Sequence, residues 1–256
     1  MEFQKLPENY KEMRLSPYKK DFSHSYVFGL FPVIELADNL PGALFRIAAS
    51  SKLTSENLAL LEKKALAAGA VVVTDDRTVE RLSPKDNCFA VGAFRKFFAE
   101  IDTAADHIVL VNPSDKGNLG NIVRTAVAFG FTEIVTIGAC ADIFDPHTVR
   151  ASMGALFRIR PSHFSTFEEY AEAGGKRNYY PFMLNGSPME SCVPDKRLPC
   201  SLIFGNESSG LDGSFLNIGK PLRIMHGSGV DSLNLTVAAG IGMHWFAHSS
   251  PGTLAR

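Results

Sequence analysis

The sequence predicts an α/β fold. Short apolar segments rich in β-branched residues alternate with segments of helical periodicity, which is the pattern of sheets layered with helices. The segment 107–111 is apolar after its first residue, as in strands that are buried on both faces of a parallel sheet. Several such segments lead directly into loops of glycine and polar residues, and α/β folds bind ligands where strands end. The fold class therefore also indicates where a functional site is expected.

The first hundred residues predict a small α/β domain behind a polar N-terminal arm of about twenty residues. A turn punctuated by glycine and proline leads from residue 27 into a short helix. The further elements are strands at 43–49, 70–74 and 88–94, and helices at 55–68 and 78–82. Gly69 is predicted to end the longer helix as a C-cap. No catalytic constellation stands out in this half, so a binding role suits it better than chemistry.

The second half predicts a longer series of strands and helices. The predicted strands cover 107–111, 133–138, 180–184, 201–204 and 222–225, and the predicted helices begin at 118, 148, 162 and 235. Asn118 is expected to be the N-cap of its helix, and Asn185-Gly186 is a turn signal. The helix 235–246 is apolar all round, which predicts burial on every side. Gly240 and Gly242 predict close approach of another backbone there, for example where helices cross at a subunit interface.

Composition and charge exclude several classes of protein. The chain of 256 residues is 45% hydrophobic and 21% charged, as ordinary globular proteins are. Its formal net charge of −1 gives no global positive field, so nucleic-acid contacts would depend on a local patch. The four cysteines have no zinc-ligand spacing and predict reduced residues in a cytoplasmic protein, without a metal. The N-terminus does not fit a signal peptide, and no apolar run reaches the ~20 residues of a membrane span.

Three glycine-containing loops carry the polar residues that we expect to converge on one crevice. They supply Asn118 and Arg124, then Glu207, and finally Ser232 and Asn234. Arg124 stands within an apolar helical run, so it either meets an anion or extends to solvent. Glu207 either serves the site or caps the helix that follows it. No cysteine nucleophile or phosphate-binding loop accompanies them, so the residues indicate a site for a small organic ligand and an anionic substrate.

Four segments carry a family resemblance. The first three are Asn-x-Gly-x-x-x-Arg-Thr-Ala at 118–126, Gly-x-Glu-x-x-Gly-Leu at 205–211, and the Ser-Leu-Asn signature that opens the stretch 232–238 after a loop with glycine. Within the third motif, Leu235-Thr236 stands where the family commonly has Val-Ser. The fourth is Arg-Ala-Ser-Met-Gly-Ala at 150–155. In these motifs and their spacing the chain closely resembles the SpoU (TrmH) family of RNA 2′-O-ribose methyltransferases, in the SPOUT class. The resemblance covers about residues 107–248.

The resemblance implies a SPOUT α/β-knot, in which a parallel sheet contains a trefoil knot that holds S-adenosylmethionine (AdoMet). It also implies a homodimer through the knot and the C-terminal helix. The family's catalytic positions fall on Asn118, Arg124, Glu207, Ser232 and Asn234. Its cofactor contacts fall on Asn185, Gly205, Ile224 and Leu233. In the family the arginine is the proposed activator of the ribose 2′-hydroxyl. Because arginine is protonated at ordinary pH, binding of the adjacent phosphate is the alternative role for Arg124.

Residues 26–97 resemble the small substrate-binding domain that precedes many SpoU domains and is similar to a ribosomal protein. We therefore expect an RNA-binding domain with its polar arm at 1–100 and a knotted methyltransferase domain at 101–256. The implied reaction is methyl transfer from AdoMet to a ribose 2′-hydroxyl of structured RNA, with ribosomal RNA favoured over transfer RNA. The alternatives are a tRNA 2′-O-methyltransferase, a non-catalytic RNA-binding factor, and methylation of a base. The retained catalytic positions disfavour the second alternative, and the Ser-Leu-Asn motif disfavours the third.

Overall fold

The computed structural model describes residues 1–6, 10, 13–83 and 87–249, and it divides into two compact units. Unit 1 comprises Met1–Phe98 and Asp142–Arg158, and unit 2 comprises Ala99–Ala141 and Ile159–Arg256. Parts of the predicted polar arm, at 7–9 and 11–12, lie outside the described residues, as do 250–256 of the predicted second domain.

The first part of unit 1 is built around a four-stranded sheet. Its elements are β1 (Glu2–Phe3), β2 (His24–Phe28), α1 (Leu30–Asn39), β3 (Leu44–Ala49), α2 (Ser55–Ala68), β4 (Val71–Thr74), α3 (Asp76–Leu82), β5 (Ala90–Arg95) and β6 (Phe97–Phe98). The strand order is β2-β5-β3-β4, in which only β3 and β4 pair in parallel. Gly69, with φ 68°, ends α2 in the left-handed conformation, which confirms the predicted C-cap.

Unit 2 contains a six-stranded sheet that is parallel throughout. The elements from residue 107 onward are β7 (His107–Val111), α4 (Lys116–Ala128), β8 (Glu133–Ile137), α5 (Pro146–Ala151, in unit 1), β9 (Arg160–Phe164), α6 (Phe167–Gly174), β10 (Asn178–Pro188), β11 (Cys200–Phe204), β12 (Leu222–Arg223) and α7 (Leu235–His248). The strand order is β12-β10-β11-β7-β8-β9. The α/β class with a parallel sheet is thus confirmed, whereas the trefoil knot stays a prediction.

The segment 142–158 leaves unit 2 between β8 and β9 and packs in unit 1. Its first residue, Asp142, is anchored there by two side chains. Lys96 Nζ lies 3.6 Å from Asp142 Oδ2, and the Tyr18 hydroxyl donates a hydrogen bond to the same oxygen. Lys96 is 4% exposed, so this ion pair is shielded from solvent.

Aromatic contacts complete the attachment of this segment. The Phe144 ring meets Phe97 edge-on with centroids 5.2 Å apart, and the Phe157 ring meets Phe94 edge-on at 5.1 Å. All four rings are buried within unit 1. Burying such rings is among the larger single contributions to a core, so 142–158 is an integral part of unit 1.

Several sequence predictions of local structure are wrong. The stretch from residue 27, interpreted as a turn, begins with the last two residues of strand β2, which covers 24–28. The polar residues His24 and Ser25 obscure the strand pattern in the sequence, although both are buried. The helix predicted from residue 162 begins only at Phe167, because 160–164 forms edge strand β9. Its Pro161 lacks an amide hydrogen, which an edge strand tolerates.

The strand predicted to stop at the Asn185-Gly186 turn signal instead continues as β10 to Pro188. The turn signal marks an irregularity, because the pairing of β10 with β12 shifts register between Phe182 and Ser187. A Cβ atom on Gly186 would lie 2.6 Å from the backbone carbon of Leu222. Glycine therefore allows the two strands to approach closely at this point.

Helix α7 is not buried on every side, because Val237 on it is 50% exposed. The closest approach is at Gly242, where a Cβ atom would lie 2.8 Å from Phe182 Cζ and 2.9 Å from Phe204 Cζ. Those two rings are stacked with centroids 4.6 Å apart. At Gly240 the nearest atom would be Thr125 Cγ2 at 3.7 Å, which is an ordinary contact. Gly242 therefore accommodates aromatic side chains of its own chain, not another backbone.

A buried polar network lies at the amino ends of the strands in unit 2. His107 Nε2 bonds the Asp102 carbonyl at 2.8 Å, so Nε2 carries the proton and Nδ1 accepts from the Tyr170 hydroxyl at 2.9 Å. The Tyr170 oxygen in turn lies 2.6 Å from Ser201 Oγ. Burial, reinforced by the Arg177 charge, lowers the pKa of His107 to about 4, so this imidazole is neutral at ordinary pH.

The Arg177 guanidinium is 6% exposed and closes the network. It donates to the carbonyls of Thr103, Ala105 and Gly174 at 3.0–3.4 Å and to Ser201 Oγ at 3.3 Å. Every donating nitrogen of this buried cation thus has an acceptor, as a buried charge requires.

Candidate active site

A cavity of about 420 Å³ opens at the carboxyl ends of β10, β11 and β12 in unit 2. This volume lies in the range of small-molecule sites. Aromatic and aliphatic side chains line one part of the cavity, among them Phe182, Leu184 and Phe204, and polar loop residues line another. The position agrees with the general location of ligands in parallel α/β sheets.

The loop after β11 is held by a tight backbone contact. A Cβ atom on Gly205 would lie 2.2 Å from the backbone carbon of Gly210, so only glycine fits there. Asn206 bridges the loop, because its Oδ1 accepts the amide hydrogens of Ser208 and Ser209 at 2.9 and 3.2 Å. These contacts fix the direction in which the neighbouring Glu207 leaves the loop.

The Glu207 carboxylate joins this loop to the start of α4. Oε2 accepts from the Ser114 amide at 3.0 Å and the Ser114 hydroxyl at 2.7 Å, and Oε1 accepts from the Asp115 amide at 3.0 Å. The side-chain amides of Asn118 and Asn206 add longer bonds of 3.4 and 3.3 Å. Glu207 therefore does not cap the residues that follow it, but binds the turn before α4.

These bonds decide the charge of Glu207. Partial burial alone raises the pKa of the carboxyl, but the backbone and hydroxyl hydrogen bonds from Ser114 and the amide of Asp115 outweigh it and lower the pKa to about 2. The group is an anion at neutral pH, and its oxygens are occupied as acceptors. A carboxylate so occupied is a poor general base, and it is well suited to fix the geometry of the groups around it.

Asn118 links this cluster to α7. Its Oδ1 accepts from Thr236 Oγ1 at 3.1 Å and from Asn234 Nδ2 at 3.5 Å, while its Nδ2 donates to Glu207. Asn234 is the N-cap of α7, and its side chain accepts a hydrogen bond from the Thr236 amide at 2.8 Å.

The N-cap of α4 is Asp115, whose side chain accepts a hydrogen bond from the Asn118 amide at 2.7 Å. The prediction that Asn118 caps its helix is thus wrong, because the helix begins at Lys116.

The structure brings most of the predicted site residues together. All four predicted cofactor residues line the cavity, as do Glu207 and Ser232; the four are Asn185, Gly205, Ile224 and Leu233. Asn118 and Asn234 adjoin it through the hydrogen bonds to each other and to Glu207. The assigned roles of these residues stay predictions.

Arg124 lies apart from this cluster. It is exposed on α4, and no hydrogen bond or ion pair joins its side chain to another described residue. At about 100° per residue, the six steps from Asn118 to Arg124 leave the two side chains roughly 120° apart around the helix axis. Neither Asn118 nor Glu207 holds Arg124 within this chain, contrary to the expectation that the polar groups of all three loops meet.

Sequence reasoning missed three residues of the cluster: Ser114, Asn206 and Thr236. Ser114 lies in the polar turn before α4, and Asn206 stands between two residues of the Gly-x-Glu motif. Thr236 follows the Ser-Leu-Asn motif by two positions, in the first turn of α7. Their polarity and position next to motif residues were the available signals, but which partner each one bonds depends on the fold.

Within the described residues, no group of three or more potential metal ligands occurs, and no helix has the length and apolar character needed to cross a membrane. Among the described residues, the four cysteines form no disulfide bond.

The parallel α/β sheet, with a cavity at its strand ends bordered by the Asn118–Glu207–Asn234 cluster, agrees with the architecture that the resemblance to SPOUT methyltransferases implies. The model of the SpoU rRNA Methylase family matches residues 105–244, more than half of the chain, and the chain belongs to this family.

Similar proteins are known from several bacteria. The chain is 31% identical over 149 residues to the 23S rRNA (guanosine(2553)-2′-O)-methyltransferase RlmP of Bacillus subtilis (strain 168), covering 56% of this chain and 58% of that protein. It is 33% identical over 155 residues to the 23S rRNA (adenosine(1067)-2′-O)-methyltransferase of Streptomyces laurentii, covering 57% and 56%. The chain thus spans about half the length of the curated relatives it matches.

Among solved structures, the AdoMet-bound rRNA methyltransferase from Sinorhizobium meliloti matches with a TM-score of 0.76 and 26% identity. The match covers 88% of this chain and 87% of that one. This coverage extends beyond residues 105–244, so the structural likeness includes residues outside the family-model match.

Proposed function

We propose that this protein transfers a methyl group from AdoMet to a ribose 2′-hydroxyl of structured RNA, with ribosomal RNA as the favoured substrate. The observation that carries the proposal is the cavity at the strand ends, whose Glu207 also belongs to the hydrogen-bonded cluster of family motif residues. Two relatives act on the 2′-oxygen of 23S rRNA according to their names.

The cavity fits the cofactor in size and in character. Its apolar part offers Phe182 and Leu184 to a flat purine ring, and Asn185 and Gly205 supply polar side-chain and backbone groups beside it. We propose that Asn185, Gly205, Ile224 and Leu233 hold the cofactor. When bound, AdoMet supplies an activated methyl group on a sulfonium.

The acceptor hydroxyl must be oriented and must lose its proton as the new carbon–oxygen bond forms. Glu207 is a poor base, because its hydrogen bonds occupy its oxygens and lower its pKa to about 2. We propose that Glu207 and Asn118 set the floor of the ribose site and that Ser232 and Asn234 border the hydroxyl. Arg124 is an exposed cation, suited to bind the phosphate beside the target ribose and to stabilise developing negative charge.

The direct test is incubation of the full chain with methyl-labelled AdoMet and total RNA, followed by mapping of 2′-O-methyl nucleotides. We expect a single modified nucleotide class in ribosomal RNA. An Asn118→Ala variant, which breaks the link between Glu207 and α7, should lose most of the label while still binding AdoMet. Label on transfer RNA would favour the alternative substrate, and label on a base would contradict the proposed reaction.

We propose a homodimer that covers the exposed side of α7, as the family resemblance implies. Val237 is 50% exposed on this side, which also carries His244 and His248. Val237→Glu should convert a dimer to monomer in analytical sedimentation, because it inserts a charge into the contact. Leu66→Glu is the matched control, since Leu66 is 82% exposed on α2 of unit 1. A wild-type monomer at micromolar concentration would contradict the dimer.

We propose that residues 1–100 contribute RNA contacts, on the resemblance to substrate-binding domains. Ultraviolet crosslinking of the full chain to a ribosomal RNA fragment, with peptide mapping by mass spectrometry, should label unit 1 as well as the rim of the cavity. Crosslinks confined to unit 2 would contradict this role. The reduced cysteines and the ribosomal substrate together support a cytoplasmic location, which stays a prediction.

A further inference from the structure

The orientation of the Asn118 side chain follows from the charges around it. Glu207, an anion, can only accept hydrogen bonds, so the Asn118 group 3.4 Å from Glu207 Oε1 must be the NH₂ end of the amide. The carbonyl end therefore faces α7. There it needs donors, and the hydroxyl of Thr236 and the amide of Asn234 supply them.

The bond from Thr236 is the shortest of the three that hold this side chain. It measures 3.1 Å, against 3.4 Å to Glu207 and 3.5 Å from Asn234, which are both close to the limit of a hydrogen bond. Thr236 is itself fixed, because its backbone amide donates to Asn234 Oδ1 at 2.8 Å in the first turn of α7. The hydroxyl is thus aimed at Asn118 by the helix cap.

Asn118 then has one amide hydrogen left over. One N–H faces Glu207, and the other has no acceptor among the described residues. A fixed donor beside a ligand cavity is a group that can orient an oxygen of a bound substrate.

We infer that Thr236 is a positioning residue for the methyl transfer: its hydroxyl locks the Asn118 amide so that a single N–H remains available for the acceptor ribose. This inference rests on the proposed function, and nothing in the motifs assigns Thr236 a role. Thr236 touches neither reacting group in this account and acts only through Asn118.

The test compares Thr236→Val, which keeps the shape and removes the hydroxyl, with Thr236→Ser, which keeps the hydroxyl. In the full chain, Thr236→Val should lower kcat roughly five- to tenfold, the scale of one hydrogen bond, and leave KM for AdoMet within about twofold. Thr236→Ser should retain kcat within about twofold. Thr148→Val is the matched control, since the Thr148 hydroxyl belongs to unit 1 and donates to the Asp142 carbonyl at 3.0 Å. A wild-type kcat in Thr236→Val, or an equal loss in Thr236→Ser, would overturn the inference.

A second measurement does not depend on activity. In protein labelled with ¹⁵N-asparagine, the Asn118 side-chain signals are identified by their loss in Asn118→Ser. In Thr236→Val these signals should move toward those of a free amide and exchange faster with water, and in Thr236→Ser they should stay. Unchanged Asn118 signals in Thr236→Val overturn the inference whatever the rates. An inactive wild type in which the signals respond as expected would instead contradict the proposed function and preserve the positioning.

Discussion

The two ends of the parallel sheet in unit 2 use similar polar residues in opposite ways. At the amino ends, Arg177 is buried and donates to four acceptors. At the carboxyl ends, Asn118 keeps one amide hydrogen without an acceptor among the described residues, and Arg124, further along the helix that begins there, is exposed and bonds no described residue. The difference teaches that a satisfied, dry network contributes to folding, whereas polar groups that keep unused bonding capacity at a cavity are available to a ligand.

Among substitutions that test this comparison, we expect the largest effect on stability at Arg177. Arg177→Met keeps much of the side-chain volume but leaves the carbonyls of Thr103, Ala105 and Gly174 without their donor inside the protein. We expect a loss of about 3 kcal/mol or more in the free energy of unfolding, measured by urea denaturation. AdoMet affinity of the folded fraction should be unchanged. A variant as stable as the wild type would show that the network is not a stabilising one.

At Arg124 we expect a loss of activity without a loss of stability. Arg124→Ala should lower single-turnover methyl transfer roughly a hundredfold or more, the scale of losing one transition-state donor. Because the side chain is exposed, the unfolding free energy should change by less than about 0.5 kcal/mol. Arg124→Lys should restore little, since an ammonium lacks the planar fork that binds phosphate. Near-normal transfer by the folded alanine variant would contradict both the mechanism and the assignment of this residue.

Glu207 tests whether the carboxyl-end cluster needs a charge or only a shape. Glu207→Gln presents an NH₂ group to donors such as the amides of Ser114 and Asp115, so one of these bonds must be lost. We expect kcat to fall roughly tenfold. The apparent pKa values of the pH–rate profile should not change, because Glu207 is not the general base. A Gln variant in which the acid limb of the pH profile disappears would identify Glu207 as the titrating group after all.

The smallest effect expected is the contribution of His107 to acid stability. Its pKa is about 4 in the folded protein, below the value near 6.5 of an unfolded chain. Between these values the unfolded state binds more protons, so this contribution is complete above about pH 6.5 and is lost as the pH falls toward 4. We expect it to cost on the order of 1 kcal/mol by pH 6. In His107→Asn, the slope of stability against pH in this window should be smaller than in the wild type.

The sequence was sufficient for the fold class and for the identity of most residues at the cavity. Apolar strand segments that alternate with helical segments predicted the parallel sheet. Three short motifs predicted which loops meet at the cavity. Strand β9 was missed because an edge strand needs no apolar run, and its proline and polar residues suggested no strand. The extension of β10 was missed because Asn185-Gly186 has the composition of a turn, and only the neighbouring strand shows that it is an irregularity.

Hydrogen-bond partners within the site could not be predicted in the same way. The sequence shows that Glu207 and Asn118 are polar and near strand ends, but its periodicity does not reveal that Glu207 reaches back to the amides of Ser114 and Asp115. The separation of Arg124 from Asn118, in contrast, could have been predicted, because it follows from the six helical steps between them. A shift of the helix start from Asn118 to Lys116 is enough to change the capping residue.

The attachment of 142–158 to unit 1 has a consequence for how such a protein can evolve and be engineered. The segment lies inside the stretch that the family model matches, yet its Phe144 and Phe157 are buried against Phe97 and Phe94. A gene fragment that starts at residue 101 would encode Phe144 and Phe157 without the Phe94 and Phe97 rings that bury them. The product would expose apolar surface and tend to aggregate. The two parts of unit 1 must therefore stay matched: recombination that exchanges the N-terminal region must also exchange the internal segment 142–158, about forty residues downstream.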